Sequence, residues 1–299
     1  MASKKKGSSL SIGWVFSIVM IGILGVAVWG IINRTSSADE LKPGSATHPH
    51  VFSYSADEST VWLGTHTGVY EYNNGKWLRT LQPLQSNDVM GLEIDPTNPE
   101  KMIVSGHGFV KRSLDGGKTW DVAEDGLPNK QKPNEPDAHL LAMDTNNPEH
   151  LYTMLAGPGD NLYESNNGGN TWTKVGVIPQ AAYSIAIAPG QSSSIIAGTE
   201  SGLYRYDIMD NNIKETKIGN EPTFQIFITP TGEIITMNES RFQRSNDLTT
   251  WKPMLVDLNG EMPLGIKGSK KDANRLLIVT ERYSVYESKD GGESWAKTK

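Results

Sequence analysis

Four of the chain's six histidines, His50, His66, His107 and His139, lie far apart in sequence but at matching places in a long hydrophobic pattern. Imidazoles with nearby carboxylates form the ligand sets of zinc, nickel and copper. With Asp160, Glu200, Glu239 and Glu281 at comparable places, they mark a site for a divalent metal or for a polar ligand. His66, His107 and His139 are the candidate metal ligands, and His50 and Glu200 complete the candidate ligand-binding set. A repeated framework must bring such scattered residues together.

That framework is legible. Apolar strand patterns begin near His50, Met90, His139, Tyr183, Phe224 and Pro263, at spacings of 40, 49, 44, 41 and 39 residues. Each is followed by a turn, a second apolar run ending in a small-residue loop, a third strand, a turn segment and a fourth strand. The turn segment reads Ser113-Leu114-Asp115-Gly116-Gly117-Lys118-Thr119-Trp120, and it recurs as Ser165 to Trp172 and Ser288 to Trp295. Ser113, Asp115, Gly117 and Trp120 thus match Ser165, Asn167, Gly169 and Trp172, and again Ser288, Asp290, Gly292 and Trp295. The Asp or Asn accepts hydrogen bonds from turn amides, the glycines take positive φ, and Trp opens the next strand. Decayed versions occupy Asn73 to Trp77, Asp207 to Asn212 and Ser245 to Trp251. A hairpin staple tolerates such decay, whereas a residue set doing chemistry in every unit does not.

Units of about 40 residues with four strands each predict an all-β, six-bladed β-propeller over residues 50–299. The last blade reads as complete, with no strand borrowed from the N-terminal side. In such a fold the turn segments lie on one face. The starts of the innermost strands and the loops after the second strands share the other. His66, His107, Asp160, Glu200, Glu239 and Glu281 then follow the second strands, while His50, Met90, His139, Tyr183, Phe224 and Pro263 ring the mouth of the channel.

The pattern S-x-(D/N)-x-G-x-(T/S)-W resembles the Asp box, or BNR repeat, of sialidases, sortilin-type receptors and photosystem assembly factors, and the resemblance covers residues 50–299. The whole chain resembles bacterial membrane-anchored glycosylhydrolase-like and sortilin-like proteins. The resemblance implies a propeller and raises glycoside hydrolysis. A sialidase-like site implies three arginines gripping a substrate carboxylate, a Tyr and Glu nucleophile pair and an Asp acid, the trio beginning with an Arg-Ile-Pro-type segment in the first blade. Here that strand reads His50-Val51-Phe52-Ser53-Tyr54-Ser55, without arginine. The expectation is a non-catalytic binding or assembly module that takes a protein, glycan or metal ligand on the face opposite the boxes. A glycoside hydrolase using Glu200, Glu239 or Glu281 is the alternative.

Composition narrows the setting. The chain has no cysteine, which excludes disulfides and thiolate metal sites. Residues 33–299 carry 25 basic and 34 acidic side chains, a balance unsuited to nonspecific nucleic-acid binding. Residues 10–32 contain no charged side chain and are long enough to cross a bilayer, so they predict a transmembrane signal-anchor helix. Lys4, Lys5 and Lys6 in the tail of residues 1–9 place the N-terminus in the cytoplasm by the positive-inside rule, with Trp14 and Trp29 near the two interfaces. Residues 33–49 then read as a stalk and the propeller as an extracytoplasmic monomer. Cleavage near Ser36-Ser37-Ala38, giving a secreted protein, is the alternative.

Overall fold

Each repeat contains one strand that is apolar along nearly its whole length: Val61–Thr65, Met102–Gly106, Leu151–Leu155, Ser194–Thr199, Ile234–Asn238 and Leu276–Thr280. Every residue in these six strands is buried. A strand covered on both faces must be sandwiched between neighbouring sheets, and that is the position of the second strand of a propeller blade. The computed structural model describes residues 40–45, 47–128, 136–157, 161–210, 212–239 and 241–298. The expected membrane-spanning segment and Asp160 fall outside them. Among the described residues, no helix is long and apolar enough to cross a membrane.

The strands form six antiparallel sheets, one per repeat. Their innermost strands are Pro49–Tyr54, Val89–Ile94, Ala138–Met143, Ala182–Ile187, Gln225–Ile228 and Pro263–Gly268. All begin within one residue of the expected positions. Blades 2 to 6 each have four strands, and the sixth is built entirely from residues 263–297. Blade 1 departs from the expected stalk. Residues 40 and 41 add a fifth, outermost strand to it, and Leu41 is buried in its core.

Blade 6 meets blade 1 through side chains. Phe52, Tyr54, Leu63 and Trp77 pack with Leu277, Val279 and Val285. Trp77 Nε1 donates to the Tyr283 carbonyl at 2.8 Å, and Tyr54 OH donates to Glu287 at 2.8 Å. Burying a large aromatic side chain contributes roughly 1.5–3 kcal/mol, so this seam does not depend on a shared strand.

The turn segments adopt the expected staple. Ser113 Oγ accepts from Gly117 N at 2.8 Å, and Asp115 accepts from the amide and hydroxyl of Thr119 at 2.9 and 2.7 Å. Ser288 and Asp290 repeat these roles, as do Ser165 and Asn167, except that Asn167 Nδ2 donates to the Thr171 hydroxyl. Gly116 and Gly117 have φ of +74° and +85°, values that a side chain makes strained. Ser245 to Trp251, read as decayed, is a working staple. Asp247 accepts from the amides of Thr249 and Thr250 at 2.8 and 2.7 Å, and Leu248 adopts φ of +61° in place of a glycine. One residue fewer is absorbed by the turn, where Ser245 Oγ accepts from Leu248 N at 2.9 Å, one residue earlier than in the other staples.

Candidate metal centre on the rim

The face opposite the staples gathers the histidines, and a backbone irregularity aims two of them. In blades 1 to 4 the innermost strand carries one extra residue near its start, so the register to the second strand slips there. The extra residues are His50, Met90, His139 and Tyr183. A β-bulge twists its strand and redirects the side chain, and here it brings His50 to His66 and His139 to His107. In blade 6 the slip falls at Leu264, so Leu264 takes the place expected for Pro263. The remaining two histidines, His66 and His107, follow the second strands. Their loops are pulled inward by backbone bonds, His66 N to the His48 carbonyl at 3.4 Å and Gly108 N to the Pro136 carbonyl at 3.0 Å.

Two aspartates complete the cluster. Asp88 and Asp137 each stand one residue before an innermost strand. His66 Nδ1 lies 2.7 Å from Asp88 Oδ2 and 3.2 Å from His50 Nε2, and His50 Nε2 lies 3.1 Å from Asp88 Oδ1. In the second group, His107 Nδ1 lies 2.6 Å from Asp137 Oδ1 and 3.4 Å from His139 Nε2, which is itself 2.9 Å from Asp137 Oδ1. The two groups adjoin, with His107 Nε2 3.7 Å from Asp88 Oδ2. The structure therefore divides the expected metal set. His66 belongs with His50 and Asp88, whereas His107 and His139 belong with Asp137.

Each group is a closed triangle of two imidazole nitrogens and a carboxylate, with edges of about 3 Å. Ligands held at about 2.0–2.2 Å from one ion have edges of similar length. Asp88 Oδ1 is buried and accepts no hydrogen bond, although His50 Nε2 is 3.1 Å away. A buried carboxylate oxygen without a donor is costly inside a protein, and a cation in the triangle would satisfy it. Burial lowers the His50 pKa, Asp88 pulls it up, and the other three imidazoles lower it further; the net shift is downward. That favours the neutral imidazole, the form that binds metals. The six side chains are between 17% and 39% exposed, so an ion and a ligand can reach them from solvent.

Gly106 lets this cluster form. A Cβ there would sit 1.8 Å from the Asp88 carbonyl oxygen, so only glycine lets the strand before His107 pass the loop carrying Asp88.

The other expected residues are dispersed. Glu200, Glu239 and Glu281 are exposed, and among the described residues no hydrogen bond or ion pair joins any two of them. Glu281 meets its neighbour Arg282 at 3.7 Å. The residue directly after the second strand of blade 3 is Ala156, not an acid. Tyr183 and Phe224, on blades 4 and 5, pack with ring centroids 5.1 Å apart, so that sector of the rim is aromatic. A cavity of about 350 Å³ beside His139, lined also by Met154, Ile178 and Ala182, lies between blades 3 and 4. The sixth histidine, His150, is at the opposite end, buried and bonded to Glu164 at 2.7 Å.

Asp88 and Asp137 belong to neither sequence series, the residues after the second strands or those at the mouth positions. Two residues before the mouth positions His50, Met90 and His139 stand His48, Asp88 and Asp137. That offset carries a polar series through the first three blades, and blade 6 places Glu261 there as well.

No protein-family profile matches the chain, so neither membership of the Asp-box family nor kinship with sortilin-type receptors has support from that side. The chain is 25% identical over 240 residues to the xyloglucanase Xgh74A of Acetivibrio thermocellus, a match covering 73% of this chain but 26% of that enzyme. Its fold is similar to that of the Niastella koreensis GH74 enzyme, with a TM-score of 0.59, 17% identity, and 87% of this chain and 46% of that one covered. A putative gluconolactonase has a TM-score of 0.62 at 10% identity, covering 89% of this chain and 98% of that one. YCF48 from Cyanidioschyzon merolae has a TM-score of 0.51 at 16% identity, covering 87% and 88%. At these identities the solved structures are evidence of the fold, an all-β six-bladed propeller, and the chain spans about a quarter of the length of the xyloglucanase it matches.

Proposed function

We propose that this propeller is a metal-dependent binding module whose rim holds a divalent transition metal at the histidines and aspartates of blades 1 to 3. The observation that carries the reading is the closed His50, His66 and Asp88 triangle with its unpartnered carboxylate oxygen. Three protein ligands leave coordination positions open, and a polar ligand would fill them. The xyloglucanase relative favours a glycan as that ligand. In this reading residues 10–32 tether the module to the membrane with the propeller outside the cytoplasm. Protease added to intact cells should then degrade it. Isothermal titration of the full-length protein in detergent, with zinc and with copper, tests the site: binding should be micromolar or tighter and lost in His66→Ala. Absence of binding at micromolar metal would rule the reading out.

The relative also favours a second reading, hydrolysis of a β-glucan by exposed carboxylates of the rim. Release of reducing ends from xyloglucan, abolished by Glu200→Gln or Glu239→Gln, would establish it.

A further inference from the structure

We infer that the rim holds two ions at once, one in each triangle, and that the two centres are coupled through His107 and Asp88. This rests on the metal-binding reading above. The triangles share no residue, so filling one removes no ligand from the other. Both have edges close to what a single ion requires, and neither has to borrow from its neighbour.

The coupling follows from the two nitrogens of one ring. His107 presents Nδ1 to the second triangle and Nε2 to Asp88 Oδ2 of the first, at 2.6 Å from Asp137 and 3.7 Å from Asp88. An ion on Nδ1 leaves the ring hydrogen on Nε2, where it faces the carboxylate that holds the other ion. Metal-bound imidazoles commonly donate their second N–H to a carboxylate, and such outer partners change metal affinity by about 10- to 100-fold. A ring shift of well under 1 Å would bring Nε2 within hydrogen-bond reach of Asp88. Occupation of the second triangle then orients Asp88 for the first, and linkage requires the effect to be mutual.

Full-length protein in detergent, dialysed against micromolar Zn²⁺ and analysed for metal content, should hold two ions per chain. Asp137→Asn and, independently, His139→Gln should each hold one, with first-triangle affinity lowered about 10-fold, as read from Co²⁺ absorption titrations. His50→Gln should also leave one ion, in the second triangle. One ion in the unaltered protein overturns the two-ion centre while leaving the metal-binding reading intact; no ion overturns both. Two ions with first-triangle affinity unchanged in both Asp137→Asn and His139→Gln overturn the coupling. Circular dichroism of each variant, matching the unaltered protein, ties these results to the site and not to the fold.

Discussion

The two faces of the propeller use similar residues in opposite ways. On the staple face, a serine and an aspartate or asparagine close one hairpin at a time, and Asp115, Asn167, Asp247 and Asp290 do the same work in four blades. Blades 1 and 4 turn by other means: blade 1 through Asn74 and Gly75 at positive φ, and blade 4 through a long hairpin between Gly202–Met209 and Asn212–Gly219. On the rim, by contrast, His50, His66, Asp88, His107, Asp137 and His139 come from three blades and are absent from the rest. A local device can be copied, altered or dropped blade by blade because its partners lie within a few residues. A convergent site is specific to one sector because its partners come from different repeats.

Two glycines test that difference most strongly. Gly106→Ala should abolish metal binding, because its Cβ would strike the Asp88 carbonyl oxygen at 1.8 Å, and should cost about 1–3 kcal/mol of stability. Gly116→Ala, on the staple face, meets no atom within 4 Å. It should cost about 1 kcal/mol through its positive φ alone and leave metal affinity unchanged. Parallel urea unfolding and metal titration would check both. The contrast fails if the two variants lose metal equally.

Next in size is Asp88→Asn, which should weaken metal binding by at least about 100-fold while leaving the melting temperature of the metal-free protein nearly unchanged. Asp115→Ala should do the reverse, with a small drop in melting temperature and no change in metal binding. Differential scanning calorimetry with and without zinc separates the two.

Acid should act on the staples in a defined direction. Hydrogen bonds from the amide and hydroxyl of Thr119 hold the Asp115 pKa down to about 2, and those from the hydroxyl and amide of Ser294 do the same for Asp290. A carboxylate with a depressed folded pKa contributes stability that is fully present above its unfolded value, about 3.9, and is lost as pH falls toward 2. Thermal melts between pH 2 and 6 should show that loss. In Asp115→Asn the loss should be smaller, because blade 3 already uses the uncharged Asn167 in the same role. The smallest expected effect belongs to Glu200→Gln, which should leave zinc affinity within about two-fold, since Glu200 lies in neither triangle. A larger change would extend the centre beyond the first three blades.

The blade count and the identity of the two faces were readable because they depend on periodicity. The strands begin within a residue of their expected places, and the hairpin residues sit at fixed offsets from them. Ser245 to Trp251 shows where such reading stops. Its offset is shifted by one, yet the backbone tolerates Leu248 at positive φ and Asp247 still accepts from turn amides. The addition of Glu40–Leu41 to blade 1 was equally hidden, since a two-residue edge strand has too few positions to show alternation.

For the rim, the sequence by itself determined which end of the propeller would be rich in histidine and that the first three blades would supply it. Repetition carries that information, because equivalent positions in successive blades become neighbours around the channel. Only the tertiary structure decided the grouping into two triangles, the entry of Asp88 and Asp137, and the dispersal of Glu200, Glu239 and Glu281. Those outcomes depend on bulges that bring His50 to His66 and His139 to His107 and on the close passage at Gly106, displacements of a few ångströms set by packing between blades and not by residue spacing along the chain.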